Sequence, residues 1–467
     1  MGYSGLRLCN AIPFAIALLL MFLLTTELSE DSRAGIFAVA LISLSYPFLW
    51  YARRTANEVL FLFLFWNSLY FLHRCLKESA TFKSDLVLFL LTLPLAAFIR
   101  IEGLLVLAVG TLAWLFIYSR ARWHGWTIKP VVLILVTLAL VSFFFFAYTL
   151  MDRTYGIERV TKTSLGVGLG SGRVSDIERN AIYSNQTKYS IMVMIKFGFL
   201  PALLFIIPFF FLLLSQGTTR VFALFLAFMA IPFAYFLLRP SISFDLPWFF
   251  RRFMTVLLPL ALIAFSYTAF KILKGASFWV TAAYLALLVS VSHPLLLHQE
   301  YRGVSSRVAE IASVASRGEK VLVDRYALGG YGLGAPLYFA YDLDIIEITP
   351  WKPVSLKDIG TTGTFYLITN ARTFRSQYRL GEMIFDDTVI VNNLEIDHEM
   401  DVRLEYIPPT CDFTSAGNYH TWSAMNWRVA LSNITAPREK VSEEYRLILV
   451  RMELDTAVRG VRQAGEQ

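Results

Sequence analysis

The chain has 467 residues, of which 56% are hydrophobic, 15% aromatic and 16% charged, with a mean hydropathy of +0.55. A soluble enzyme carries about 25% charged residues, so this composition places the chain in a membrane. Its three cysteines, Cys9, Cys75 and Cys411, lie far apart and exclude a disulfide framework or zinc knuckle. The net charge of +7 does not point to nucleic acid, because the arginines are scattered in loops between apolar runs; an anionic lipid or a phosphate-bearing substrate fits better.

A spanning helix needs about 20 largely apolar residues. Ten windows qualify: 8–26, 33–50, 58–72, 85–99, 103–118, 130–150, 191–214, 221–238, 253–270 and 277–297. The segment 85–118 reads either as one long helix or as a hairpin turning at Arg100-Ile101-Glu102-Gly103. A single helix would be about 50 Å long against a hydrocarbon core of about 30 Å, so the hairpin is preferred. It also places the basic loops 73–83 and 119–129 on one face, as the positive-inside bias requires. With those loops cytoplasmic, residues 51–57, 100–102, 151–190 and 239–252 face outward, as does everything after residue 298. Met1 then starts outside with no span before it, which implies a helix and an outer loop upstream of this sequence.

Three short polar clusters fall on the outer face. Tyr51-Ala-Arg53-Arg54-Thr-Ala-Asn57-Glu58 opens the third span, Arg100-Ile-Glu102 forms the hairpin turn, and Phe250-Arg251-Arg252-Phe253 leads into the ninth. Each has a plain reading: Glu58 complements a helix dipole beside Arg54, Arg100 and Glu102 neutralise each other, and Arg251 and Arg252 are interfacial anchors. Together they supply carboxylates and guanidiniums at the lipid boundary. Arginine forks bind phosphate bidentately, and a neighbouring carboxylate can take the proton of an acceptor hydroxyl. That set suits sugar transfer from a lipid phosphate. The glycine-rich stretch 166–172 is either a cover for such a groove or a plain connector, since it lacks the strand–turn–helix context of a phosphate loop.

The order of these features resembles the GT-C superfamily of integral-membrane glycosyltransferases. It runs from Leu6-Arg7-Leu8-Cys9-Asn10 through Leu44-Ser45-Tyr46-Pro47, Arg53-Arg54-Thr55-Ala56-Asn57-Glu58 and Arg100-Ile101-Glu102-Gly103 to Arg251-Arg252-Phe253-Met254-Thr255. Within the superfamily the chain is most similar to polyprenyl-phosphate-sugar-dependent enzymes such as protein mannosyltransferases and the aminoarabinose transferases of lipid A. The resemblance implies an α-helical polytopic bundle of about ten spans over 1–297, in the plasma (inner) membrane, and an extracytoplasmic α/β domain over 298–467. It implies a hexosyl- or pentosyltransferase that takes a polyprenyl-phosphate or dolichyl-phosphate sugar to a glycan, lipid or protein acceptor, with inversion. Glu58 and Glu102 are the catalytic candidates. Arg53, Arg54, Arg100, Arg251 and Arg252 are the lipid-phosphate-binding candidates. The principal acid of the family, in its first outer loop, is expected upstream of Met1, and dependence on a divalent metal is left open. The alternatives are a transporter or flippase of lipid-linked glycans, or a noncatalytic remnant that binds lipid phosphate. Against transport, no ionisable residue falls in mid-span and no pair of broken helices is expected.

After residue 298 charge rises and apolar runs shorten. A helix is expected over 301–317 and strands at Lys320–Asp324, Ile345–Ile348, Thr364–Thr369, Val389–Asn392 and Leu447–Glu453, which make a small α/β domain. The run Gly329-Gly330-Tyr331-Gly332-Leu333-Gly334 reads as an ordinary turn, and Asp342-Leu343-Asp344 as part of a strand rather than a metal-chelating pair. The six histidines show no metal-ligand spacing.

Overall fold

The structure, a computed structural model, describes residues 3–52, 57–77, 81–100, 103–123, 190–191, 193–217, 219–238, 250, 253–296, 304–314, 320–325, 327–328, 333–348, 364–377, 384–385, 389–390, 394–406 and 441–453. The chain divides chiefly into two compact units, Arg7–Leu297 and His298–Pro408 with Arg438–Gln467. The first is helical. Its described helices are α1 (Tyr3–Ser29), α2 (Ser32–Ser43), α3 (Tyr46–Ala52), α4 (Asn57–Leu76), α5 (Phe82–Ile99), α6 (Gly103–Trp123), α7 (Leu200–Ser215), α8 (Arg220–Leu238), α9 (Leu257–Ile272) and α10 (Ser277–Leu296). Three stretches are long and apolar enough to cross a membrane: Asn10–Ser29, Asn57–Leu76 and Lys274–His293. The bent pair α2–α3 makes a fourth if taken as one span. The expected window 130–150 lies outside the described residues.

Two expected spans are interrupted, each for a backbone reason. The window 33–50 bends by 69° between α2 and α3. Pro47 has no N–H to offer the Ser43 carbonyl and its ring would strike it, so α2 ends at Ser43. The Ser45 hydroxyl instead donates to the Ile42 carbonyl at 3.0 Å. The window 191–214 breaks at Gly198, whose φ of +78° is left-handed. The Gly198 and Phe199 N–H groups donate back to Ile195 (3.0 Å) and Met194 (2.7 Å), a Schellman closure that suits glycine. Pro201 then sits in the first turn of α7, where its missing N–H costs nothing. The bend between α2 and α3 is one such break; the expectation concerned a pair of broken helices in two halves.

Around these breaks the bundle packs on α9, whose residues Leu257–Ala269 are all buried. A helix apolar on every side belongs inside a bundle. It lies against α7 and α2. The Ser266 hydroxyl donates to the Ala34 carbonyl at 2.7 Å, and the Phe205 and Phe265 rings meet edge-on at 4.8 Å. α5 ends at Ile99 and α6 starts at Gly103, and the two pack together as two helices where segment length excluded one.

The second unit holds a sheet ordered β2 (Asp344–Ile348), β1 (Lys320–Asp324), β3 (Thr364–Asn370), β7 (Val441–Glu453), β6 (Leu394–Tyr406). β1 is parallel to both β2 and β3, while β7 is antiparallel to β3 and β6. Alternate residues face opposite sides. Val321, Val323, Ile368 and Leu449 pack with Val304, Val308 and Ile311 of helix α11 (Val304–Val314) and Leu337 of α12 (Gly334–Tyr341). Leu322, Leu367, Ile448 and Val450 pack on the other face with Phe374 of α13 (Ala371–Gln377). The expected strand at 389–392 is the short β5 (Val389–Ile390), paired with β4 (Ile384–Phe385). Asp342 does not lie in a strand. Its φ of 57° makes it the left-handed cap of α12, and its N–H donates to the Leu337 and Tyr338 carbonyls. That geometry separates it from Asp344, the first residue of β2.

The α1–α2 crossing gives a direct test of this packing. A Cβ on Gly35 would sit 2.9 Å from the Phe22 carbonyl oxygen and press on the Thr26 hydroxyl, whereas one on Gly217 would meet nothing within 4 Å. Gly35→Ala is expected to cost roughly 1–3 kcal/mol, read as a lower thermal midpoint of the detergent-solubilised protein, with Gly217→Ala unchanged.

Candidate active site at the Glu58 end of the bundle

The apolar composition of α4 and α5 leaves few places to put charge, and the antiparallel packing of the two helices decides where it goes. Glu58 lies in the first turn of α4 and is 1% exposed; Arg100 caps the end of α5 and is 10% exposed. The Arg100 guanidinium donates to Glu58 Oε1 at 2.8 Å. A carboxylate at a helix N-terminus and a cation at a helix C-terminus are each favoured by the local helix dipole, so the partners sit where their signs belong. Extended backbone at Arg100 (φ −145°, ψ 144°) ends α5, and the Gly103 N–H donates to the Arg100 carbonyl at 2.9 Å to start α6. Arg100 therefore pairs with a residue 42 positions away in sequence.

The hairpin is pinned in one register along its length. Ten residues beyond Glu58, the Ser68 hydroxyl meets that of Thr92 at 2.9 Å, and at the far end Arg74 Nε donates to Asp85 Oδ2 at 3.1 Å. Asp85 is almost wholly buried, and the Thr81 hydroxyl also donates to it at 2.7 Å. The Tyr70 hydroxyl donates to Glu27 of α1 at 3.2 Å and accepts from Arg74 at 3.2 Å. Asp85 pairs with Arg74, and Lys77 Nζ lies 3.9 Å from Glu27 at this far end. At the same end Asp31 caps α2, and the Arg33 side chain, donating to it at 2.9 and 3.1 Å, holds its carboxyl below the usual carboxylate range.

Of the seven site residues expected from the sequence, the structure describes Glu58 and Arg100 and brings them into contact. Arg53, Arg54, Glu102, Arg251 and Arg252 lie outside the described residues. The flanks of the last two are described. Phe250 and Phe253 are fully buried, and the Phe253 and Met254 N–H groups both donate to the Phe250 carbonyl at 2.9 Å. Phe250 is held between Phe197 and Phe199, with ring centroids at 4.9 and 5.9 Å. Among the described residues no group of three or more His, Cys, Asp or Glu is placed to hold a metal ion. Sequence reasoning missed Asp85 and Glu27. The signal for them was the run of charges at both ends of a span, which needs partners whether or not it carries chemistry.

No family model matches the sequence, and no curated protein matches it. Among solved structures the chain is similar to two of the same transferase. One is ArnT from Cupriavidus metallidurans bound to undecaprenyl phosphate, 11% identical, covering 85% of this chain and 83% of that one with a TM-score of 0.49. The other is ArnT from Cupriavidus metallidurans in the apo state, 14% identical, covering 79% of each chain with a TM-score of 0.43.

The buried pair has a clear energetic signature. Removing one partner strands a desolvated charge, so Glu58→Gln or Arg100→Met alone is expected to cost about 3–5 kcal/mol. Replacing both, Glu58→Leu with Arg100→Leu, is expected to be near neutral, because an apolar pair of similar volume avoids the desolvation of both ions. Thermal unfolding of the three variants in detergent checks the order; a double variant as unstable as the singles would contradict it.

Proposed function

We propose that this chain is a membrane glycosyltransferase that moves a sugar from a polyprenyl-phosphate carrier to an acceptor at the outer face of the plasma membrane. The observation that supports this reading best is the Glu58–Arg100 pair, a guanidinium held by a carboxylate at one end of an apolar hairpin. A guanidinium presents a planar fork of N–H donors that matches a phosphate. In this reading Glu58 orients Arg100, and Arg100 grips the lipid phosphate with Arg251, Arg252, Arg53 and Arg54. The extracytoplasmic placement of residues 298–467, the boundary at 297 and a count of about ten spans belong to the same proposal.

The chemistry follows from those roles. An acceptor hydroxyl attacks the anomeric carbon and a new C–O bond forms. The bond from that carbon to the phosphate oxygen breaks, and the lipid phosphate leaves with the electron pair. The arginines stabilise the charge that grows on it, while the hydroxyl proton passes to a carboxylate. Glu58 would have to part from Arg100 to take that proton; Glu102 is the other candidate. A carboxylate engaged by a guanidinium is a poor ligand for a divalent cation, so the proposed chemistry runs on guanidinium charge. A second reading, movement of a lipid-linked glycan across the membrane, draws support from the 69° bend between α2 and α3.

Membranes containing the full chain, supplied with labelled undecaprenyl-phosphate sugars, separate the two. Transfer is expected to fall about 10²–10³-fold in Arg100→Ala and in Arg252→Ala, as for loss of one group that stabilises developing charge. Unchanged transfer in both variants would overturn the site. Passage of the labelled lipid between leaflets with no transferred sugar would favour the second reading.

A further inference from the structure

The two interrupted spans meet each other. Tyr46 opens α3 just after the 69° bend, and Phe197 is the last residue before Gly198. Their rings lie edge-on with centroids 4.9 Å apart, and both side chains are buried. Phe197 also meets Phe250 at 4.9 Å, and Phe250 reaches Phe199 at 5.9 Å, so one ring bears on both residues that flank Gly198. Helix α10 packs on α2 and α3, the two sides of the first break.

Inside a membrane, the backbone groups that a break sets free must find partners within the protein. The first break meets this need locally. The Ser45 hydroxyl and N–H both donate to the Ile42 carbonyl, at 3.0 and 3.3 Å, and the Leu49 N–H donates to the Ser45 carbonyl at 3.1 Å. The second break draws on another helix. Gly198 is buried, and its carbonyl precedes the Phe199 cap of α7, whose first intrahelical bond runs from the Leu203 N–H to the Phe199 carbonyl. The Gly198 carbonyl accepts instead from the Tyr284 hydroxyl of α10 at 2.8 Å. Tyr284 is 6% exposed, and its ring lies 4.3 Å from that of Phe265 in α9. Glycine is needed at the pivot, because φ is +78° and a Cβ would sit 3.2 Å from Leu288 of α10.

We propose that the two breaks are one hinge, pivoting at Gly198, and that the Tyr284 hydroxyl is the catch that holds it in the observed setting. Rotation about the Gly198 bonds swings residues 193–197 against α7, and the Tyr46–Phe197 contact carries that swing to α3. Hinges are a few element-terminal residues that absorb a change in φ and ψ, which is the place Gly198 holds. The device needs no ligand, so it stands or falls apart from the sugar-transfer reading.

Hydrogen–deuterium exchange of the full chain in nanodiscs tests it, since segments that open together exchange together. In the unaltered chain the amides of 44–49 and 197–203 are expected to show matching protection. Tyr284→Phe keeps the ring and loses the hydroxyl, and is expected to speed exchange in both segments about tenfold, the worth of one hydrogen bond to a buried carbonyl. Ser290→Ala, at an exposed position of the same helix, is expected to change neither. Phe197→Leu removes the ring that links the breaks. Combined with Tyr284→Phe, it is expected to leave the faster exchange at 197–203 and to return 44–49 to its original rate. Should Tyr284→Phe fail to fold, Phe197→Leu alone decides, because it is expected to split the protection of the two segments. Unchanged exchange in Tyr284→Phe would overturn the catch. Faster exchange confined to 197–203 in that variant, or matching protection that persists in Phe197→Leu, would overturn the single hinge.

Discussion

Charge inside an apolar hairpin must be paired, and the contact between Glu58 and Arg100 is where this chain meets that constraint. Neither residue is tolerable alone at that burial, and each lies at the helix end whose dipole favours it. Once they are paired, α4 and α5 can pass each other in only one register, which also brings Ser68 to Thr92 and Arg74 to Asp85. A slip of a single turn would separate three polar contacts in surroundings that offer no substitutes. The pair thus fixes the hairpin and places a guanidinium at one end of it. A site for an anionic lipid headgroup requires the second as much as the fold requires the first.

How much of this was legible depends on whether a feature is local. Span length alone rejected a helix over 85–118 and located the turn at Arg100–Gly103, because two lengths, of helix and of bilayer, set the answer. The contact of Arg100 with Glu58 was not legible, because a contact over 42 positions follows only from packing. The breaks at Ser45 and Gly198 were hidden for another reason. Averaged hydropathy does not register that Pro47 and Pro201 have no N–H, although each lies four residues after the carbonyl at which a helix stops. β6 was overlooked although Leu394, Ile396, His398, Met400, Val402 and Leu404 alternate with Glu395, Asp397, Glu399, Asp401, Arg403 and Glu405. That period of two is as clean as any in the chain, but its charge disguised it as loop.

Polar groups at the centre of the bundle meet the same constraint. α9 is buried on every side, so each polar backbone group around it must find a partner within protein, and the Thr255 carbonyl just before its cap accepts from the Trp66 indole N–H at 3.1 Å. The indole of Trp66 is suited to that task, having one N–H at the edge of a large apolar ring. Sequence alone shows a tryptophan in an apolar helix; only packing shows which carbonyl it satisfies.

The most direct measurement is an experimental structure of the full chain in nanodiscs with undecaprenyl phosphate. The account expects phosphate oxygens within hydrogen-bond distance of Arg100 while Glu58 still holds the same guanidinium. A phosphate bound elsewhere in the bundle, with the Glu58–Arg100 pair closed and untouched, would contradict it.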